Sequence, residues 1–157
     1  MVRYKSSLAA LIISSGLLLL SACANNATTL DKRALLQEAA QQGDAEAQFQ
    51  LGNTYCCGHG AGYDRIIARK WYCKAALQGH GGAQYQLGRI LGERMDSHSI
   101  PSKREFLIES YMWYSLAALQ NVPLAAAERD ALKIDLLPQE VLESEDRINR
   151  WRSLECE

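Results

Sequence analysis

Apolar side chains between residues 31 and 153 recur three and four positions apart, and the runs they form are punctuated by glycine and aspartate. That spacing belongs to helices that bury one face. It predicts helices over about 31–42, 45–57, 65–78, 82–94, 104–120, 123–134 and 139–153. Gly43, Gly58 and Gly79 each close an apolar-periodic run, where a left-handed C-cap is expected. Asp44 and Asp64 stand where a short carboxylate accepts hydrogen bonds from a first helical turn. Pro138 falls in a first turn, where its missing N–H is harmless. No segment sustains a two-residue alternation of β-branched residues, so no strand is predicted and the fold class is all-α.

The helical pattern repeats. Ala39-Ala40-Gln41-Gln42-Gly43 returns as Ala75-Ala76-Leu77-Gln78-Gly79, and Ala47-Gln48-Phe49-Gln50-Leu51-Gly52 returns as Ala83-Gln84-Tyr85-Gln86-Leu87-Gly88. The offset is 36 throughout, and nine of the fourteen positions from Ala39 to Gly52 are identical in the second copy. A period of this size marks a solenoid, in which each repeat buries its apolar face on its neighbour. Trp71-Tyr72 returns as Trp113-Tyr114 at an offset of 42, so six residues have been inserted between Gly88 and Tyr111. The polar stretch Met95–Lys103 is the expected place, as a loop insertion. Gln120 and Asn121 then take the places of Gln78 and Gly79.

Glycine inside a helix costs about 1 kcal/mol relative to alanine. Gly52 and Gly88 therefore imply close approach by the backbone of a partner helix. Ala68 and Ala75 lie two turns apart on one face of that partner, with Ser110 and Ala117 in the second copy. The aromatic residues are expected in the core, with Leu51, Tyr55, Trp71 and Tyr72 filling the spaces between helices.

These residues resemble Sel-1-like repeats, relatives of the tetratricopeptide repeat. The resemblance rests on Gly43, Ala47, Leu51-Gly52, Tyr55, Gly58-His59-Gly60, Ala68, Trp71-Tyr72 and Lys74-Ala75-Ala76. The second copy departs from it: the Gly-x-Gly turn is missing, Leu91 replaces Tyr55, and Ser115-Leu116 replaces Cys73-Lys74. Leu136-Leu137-Pro138-Gln139-Glu140 through Trp151 looks like the closing helix of bacterial members. The resemblance implies a short right-handed solenoid of antiparallel helix pairs, with repeats at about 43–78 and 79–120 and capping helices at about 123–153. It implies a scaffold or adaptor rather than an enzyme, tied to envelope assembly or stress. No cofactor is expected.

The first residues read as an address. Arg3 and Lys5 precede a mainly apolar run, Leu8–Leu20, too short for a typical spanning helix. Leu20-Ser21-Ala22-Cys23 resembles the bacterial lipobox. It implies a signal peptide over 1–22, lipidation at Cys23, a tether over 23–30 and the repeat domain over 31–157. Several acyl chains give stable anchoring where one is marginal. Ala24 follows Cys23, so the inner-membrane retention aspartate is absent and an outer-membrane position facing the periplasm is expected. The chain has 17 Lys and Arg against 18 Asp and Glu, with no basic stripe, so nucleic acid is not an expected partner.

Export would place Cys56, Cys57, Cys73 and Cys156 where disulfides persist. Four cysteines allow three pairings. One bridge between Cys73 and a member of the vicinal pair is expected, although Cys73 lies deep in its helix and such a bridge needs a tilted or frayed turn. Cys56, Cys57, His59 and Cys73 do not match a zinc-ligand spacing. His59, His80 and His98 fall at helix ends or in a loop, where solvated histidines are the rule. No Gly-x-Ser-x-Gly elbow is present. The alternative function is a cysteine-containing periplasmic enzyme or binder acting on a β-lactam or peptidoglycan. The first helix of each pair should line the binding face, through Glu46, Gln50, Asn53, Gln86 and Arg89. Repetition of Gln50 as Gln86 suits an extended peptide or glycan backbone. The expected partners are the membrane, through Cys23, and an unidentified envelope protein, peptide or glycan.

Overall fold

A computed structural model describes residues 33–56, 64–93, 100–154 and 156. The expected signal peptide, Cys23 and the tether lie outside the described residues, as do Cys57, Gly58, His59 and residues 94–99 of the insertion. Two compact units are distinguished, Met1–Leu36 and Gln37–Glu157. Of the first, residues 33–36 are described and are helical.

In the second unit every described element is a helix. Helix α1 is described over residues 33–41; α2 (Ala45–Cys56), α3 (Arg65–Leu77), α4 (Gly81–Gly92), α5 (Ile100–Leu119), α6 (Ala125–Lys133) and α7 (Pro138–Arg150) follow, and a 3-10 turn (Trp151–Ser153) comes last. Helices α2 and α3 pack as one pair, α4 and α5 as the next, and α3 joins them by packing on α4. This is an all-α solenoid of paired helices.

The same turn closes α1, α3 and α5. Gly43 (φ 98°), Gly79 (φ 90°) and Asn121 (φ 57°) all adopt left-handed backbone. The amides of Asp44, His80 and Val122 donate back to the carbonyls of Ala39, Ala75 and Ala117, a Schellman closure repeated three times. After it, Asp44 Oδ1 accepts from the Ala47 amide at 2.6 Å. His80 Nδ1 does the same for Ala83 at 3.1 Å. Val122 occupies that place a third time and has no polar side chain to offer. The chain there makes an extra turn through Leu124, a bulky residue at φ 67°, and α6 begins only at Ala125. Ala47, Ala83 and Ala125 are the buried equivalents at the three starts.

The core runs along the stack through Tyr72, Ala75, Ala83, Leu87, Met112, Trp113 and Trp151. Gly52 and Gly88 are indeed sites of close approach, but the approaching group is an aromatic ring. A Cβ on Gly52 would meet Tyr72 at 2.6 Å, and one on Gly88 would meet Tyr114 at 2.7 Å. Ala68, Ala75, Ser110 and Ala117 are fully buried, as expected. Trp71 is only half-buried and carries the Lys74 ammonium over its ring at 4.4 Å.

The insertion differs from its expectation. Helix α3 has 13 residues and α5 has 20, whereas the connections leading into them are of similar length. The added residues therefore lengthen α5 at its start rather than a loop, and Pro101 fits because it lies in the first turn. Helix α5 forms a seat for the elements that follow it. Leu107, Ile108 and Tyr111 pack with Leu136 and, half-buried, Leu132 and Val141. Helices α6 and α7 both pack on α5. Helix α7 starts at Pro138 as expected, and Glu140 accepts the Leu137 amide at 2.7 Å to close its first turn. Arg104 of α5 clamps the same carboxylate in bidentate fashion. From there α7 follows α5 through Ser144 Oγ, which donates to the Ile108 carbonyl at 3.2 Å, and through the Arg147–Glu105 ion pair at 2.5 Å. It ends with Trp151 lying 3.7 Å from where a Cβ on Gly79 would be.

The disulfide corrects the expected pairing. Cys73 is bonded to Cys156, with Cα atoms 5.7 Å apart, and Cys56 is a buried thiol. Cys73 sits well inside α3, far from the hairpin end where Cys56 lies, and α7 brings the chain's last segment across to it.

Candidate functional site

The first helices α2 and α4 carry two interleaved sets of glutamines with different roles. Gln48 and Gln84 face the core. The Gln48 amide donates to the Ala40 carbonyl at 3.0 Å and accepts from Gln78 at 2.8 Å. One repeat later, Gln84 donates to the Ala76 carbonyl at 3.2 Å and accepts from Gln120 at 2.6 Å. Each buried glutamine thus satisfies a carbonyl at the end of the preceding helix and ties it to the end of the following one. Burying such an amide costs little because both of its ends are satisfied. Sequence reasoning passed over this ladder, although its signal was available: Gln48 and Gln84 lie three residues before the core leucines Leu51 and Leu87 and so share their face.

Gln50 and Gln86 fall two residues further on. Gln50 is exposed, and its amide donates to Glu46 Oε1 at 2.7 Å. Glu46 Oε2 is 2.9 Å from His80 Nε2. The hydrogen bond with His80 comes first, and that from Gln50 second, among the causes that hold the Glu46 carboxyl below its ordinary value. His80 is therefore no solvated loop residue. Its Nδ1 caps α4, which leaves Nε2 to carry the proton donated to Glu46, and its ring stacks on Phe49 at 4.5 Å and 26°. The structure brings Glu46, Gln50 and His80 into one polar group between successive first helices.

The other candidates lie apart from that group. Asn53 Oδ1 accepts the Tyr72 hydroxyl at 2.8 Å and so pins the ring that covers Gly52. Arg89 takes the equivalent place in the next repeat. It is half-buried and lies 3.4 Å from Cys56 Sγ, beside the Tyr114 phenol. Burial pushes that phenol well above its ordinary value, Glu128 adds to the shift, and Arg89 opposes it. Asn53 and Arg89 thus support the stack. Gln86 is half-buried, and its Oε1 is a buried acceptor with no hydrogen-bond donor among the described residues.

Among the described residues, no three His, Cys, Asp or Glu side chains converge in a way that could hold a metal ion. No described helix is long and apolar enough to cross a membrane.

Paired helices, recurring left-handed closures and a small residue under each tyrosine define a repeat protein of the tetratricopeptide-like class. The sequence profile of the Sel1 repeat matches residues 33–44, 45–80 and 103–122. Those stretches are similar to the Sel1 repeat, and the paired-helix architecture is consistent with a protein-interaction scaffold. The first matched stretch covers the described part of α1, which stands in the place of a second helix, its closure at Gly43 matching those after α3 and α5. Comparison with curated proteins finds no match to the chain.

Proposed function

We infer that this chain is a lipid-anchored, extracytoplasmic interaction scaffold whose first-helix face takes an extended peptide or glycan backbone. The observation that carries the reading is the Gln86 side chain. A buried acceptor without a donor costs about 1–3 kcal/mol, and a partner that draws the amide outwards and supplies an N–H or O–H relieves that cost. Gln50 offers the same group, already exposed, one repeat earlier. Arg89 leaves the proposed contact set, because its guanidinium serves the α2–α4 packing.

Leu20-Ser21-Ala22-Cys23 supports the anchor, with lipid on Cys23 and the short segment 23–30 as tether. The absence of Asp after Cys23 supports an outer-membrane position facing the periplasm, with an envelope protein or polymer as partner. A photo-crosslinking residue at position 50 in intact cells should capture one discrete species that the same residue at position 70 does not. A clickable fatty acid should label the chain, and Cys23→Ala should abolish both label and membrane retention. Equal capture at positions 50 and 70 would remove the first-helix face. An unlabelled wild-type chain would remove the anchor.

A further inference from the structure

A cavity of about 300 Å³ opens between α3, α4, α5 and the segment that follows α7. Its floor is apolar: Leu87 and Leu91 from α4, Met112 and Trp113 from α5. One wall is Leu154, held in place two residues before Cys156, whose bond to Cys73 ties the segment to α3. Three charged residues reach the opening, and they are not equivalent. Arg147 is committed to Glu105 at 2.5 Å and Glu143 at 2.6 Å, and it lies 3.9 Å from Glu109. Glu105 first, and Glu143 with it, hold its guanidinium well above the ordinary arginine value. Arg69 is half-buried and has no ion pair or hydrogen bond among the described residues.

A cavity that combines apolar side chains with a few placed polar groups is the usual form of a small-ligand site, and this one is at the lower end of the usual size. The uncommitted group is a guanidinium, whose fork matches a carboxylate in two-point geometry. The carboxylate that lines the opening, Glu109, has Arg147 near it to offset its charge. At the packing density of protein interiors the space accepts about twelve non-hydrogen atoms.

We propose that this cavity binds a small apolar carboxylate, with its hydrocarbon part on Met112 and Trp113 and its carboxylate on Arg69. Two sources supply that chemistry: a medium-chain fatty acid, and a chain terminus ending in an apolar residue. The site is independent of the first-helix face and of the anchor at Cys23, since neither contributes a residue to it.

Titration calorimetry of the oxidised full chain tests this with decanoate, decanol and N-acetylleucine, while the 13C-methyl resonance of Met112 reports the location. Decanoate or N-acetylleucine should bind with a Kd on the order of 0.1–1 mM, as expected for a ligand of this size. Decanol, which keeps the chain and lacks the charge, should bind roughly tenfold more weakly. Arg69→Gln should weaken the acid by a similar factor and leave the melting temperature unchanged, because Arg69 holds no partner among the described residues. Preference for decanoate assigns the lipid source, and preference for N-acetylleucine assigns the chain terminus. Absence of saturable binding by both acids overturns the proposal. So does equal binding of acid and alcohol, or acid binding that is indifferent to Arg69→Gln.

Discussion

Gly88→Ala places two physical effects in opposition, and the structure decides the sign. Helix propensity alone favours the substitution by about 1 kcal/mol, because alanine loses less backbone entropy in α4 than glycine. Against it, the new methyl would stand 2.7, 2.9 and 2.9 Å from three carbons of the Tyr114 ring. Real Cβ atoms do not approach that closely, so the ring or the helix must shift. The ring has little room, being 5 % exposed and wedged between α4 and its own helix. Ser110 Oγ also holds the Gly88 carbonyl at 2.6 Å, which ties the two backbones at that point. Overpacking of this kind typically costs about 1–3 kcal/mol; with so little room the cost falls in the upper part of that range, and the propensity gain of about 1 kcal/mol offsets only part of it. We expect a net destabilisation of about 1–2 kcal/mol, a fall in Tm of about 4–8 °C for a unit of this size. Urea unfolding followed by circular dichroism measures it. The control is the same change in a Tyr114→Leu background, where the clash is gone and alanine should be neutral or stabilising by up to about 1 kcal/mol. A rise in Tm on Gly88→Ala in the parent chain would refute the packing argument. So would an equal loss in both backgrounds.

Cys156→Ser opens a loop spanning 83 positions of sequence, and the chain-entropy account puts the loss near its upper range, about 4.5 kcal/mol; a denaturant midpoint unchanged between oxidised and variant protein would contradict the bridge. Gln84→Leu removes one donor from the Ala76 carbonyl, which keeps the Gly79 amide at 2.9 Å, and should cost about 0.5–1.5 kcal/mol in the same assay, whereas Gln50→Leu, at an exposed position, should leave stability nearly unchanged. Hydrogen bonds from Arg104, with help from the Leu137 amide, hold the Glu140 carboxyl below its ordinary value. A depressed carboxylate stabilises the fold above its unfolded value and ceases to do so as pH falls through the folded one. Amide exchange in the first turn of α7 should therefore accelerate below the ordinary carboxylate range, and Glu140→Gln should show faster exchange already at neutral pH and remove most of the acid dependence.

Much of the fold was legible because the repeat states the same local instruction twice. Gly43 and Gly79 announce left-handed closures, and the phase of the pattern carried the prediction on to Asn121, which adopts the same backbone. Predicted helix limits fall within about two residues of those observed for α2, α3 and α4. What was misread depended on longer range. Residues 100–103 look like a polar loop in isolation, and they open a helix whose next turns meet α7 through Arg104, Glu105 and Ile108. The Cys73–Cys156 bond follows from the path of α7, which local spacing does not encode. At the candidate face, composition could not separate Gln50 from Asn53 or Arg89. All three lie on first helices, and only the position of Tyr72 and Cys56 shows which are engaged in packing. His80 was misjudged because N-capping by an imidazole nitrogen is rarer than capping by aspartate.

The return of the last segment to α3 alters how such a stack can come apart. In an open solenoid each repeat touches only its neighbours, and unfolding can begin at an end and proceed one unit at a time. Here the terminal helix is seated on α5 while its continuation is bonded to α3, so fraying of the last turn cannot spread without carrying the middle of the array with it. The oxidised unit should lose its structure in a single step, with coincident transitions by different probes. The reduced chain is free to melt from its C-terminal end. Redox state thus sets the cooperativity of the array as well as its stability.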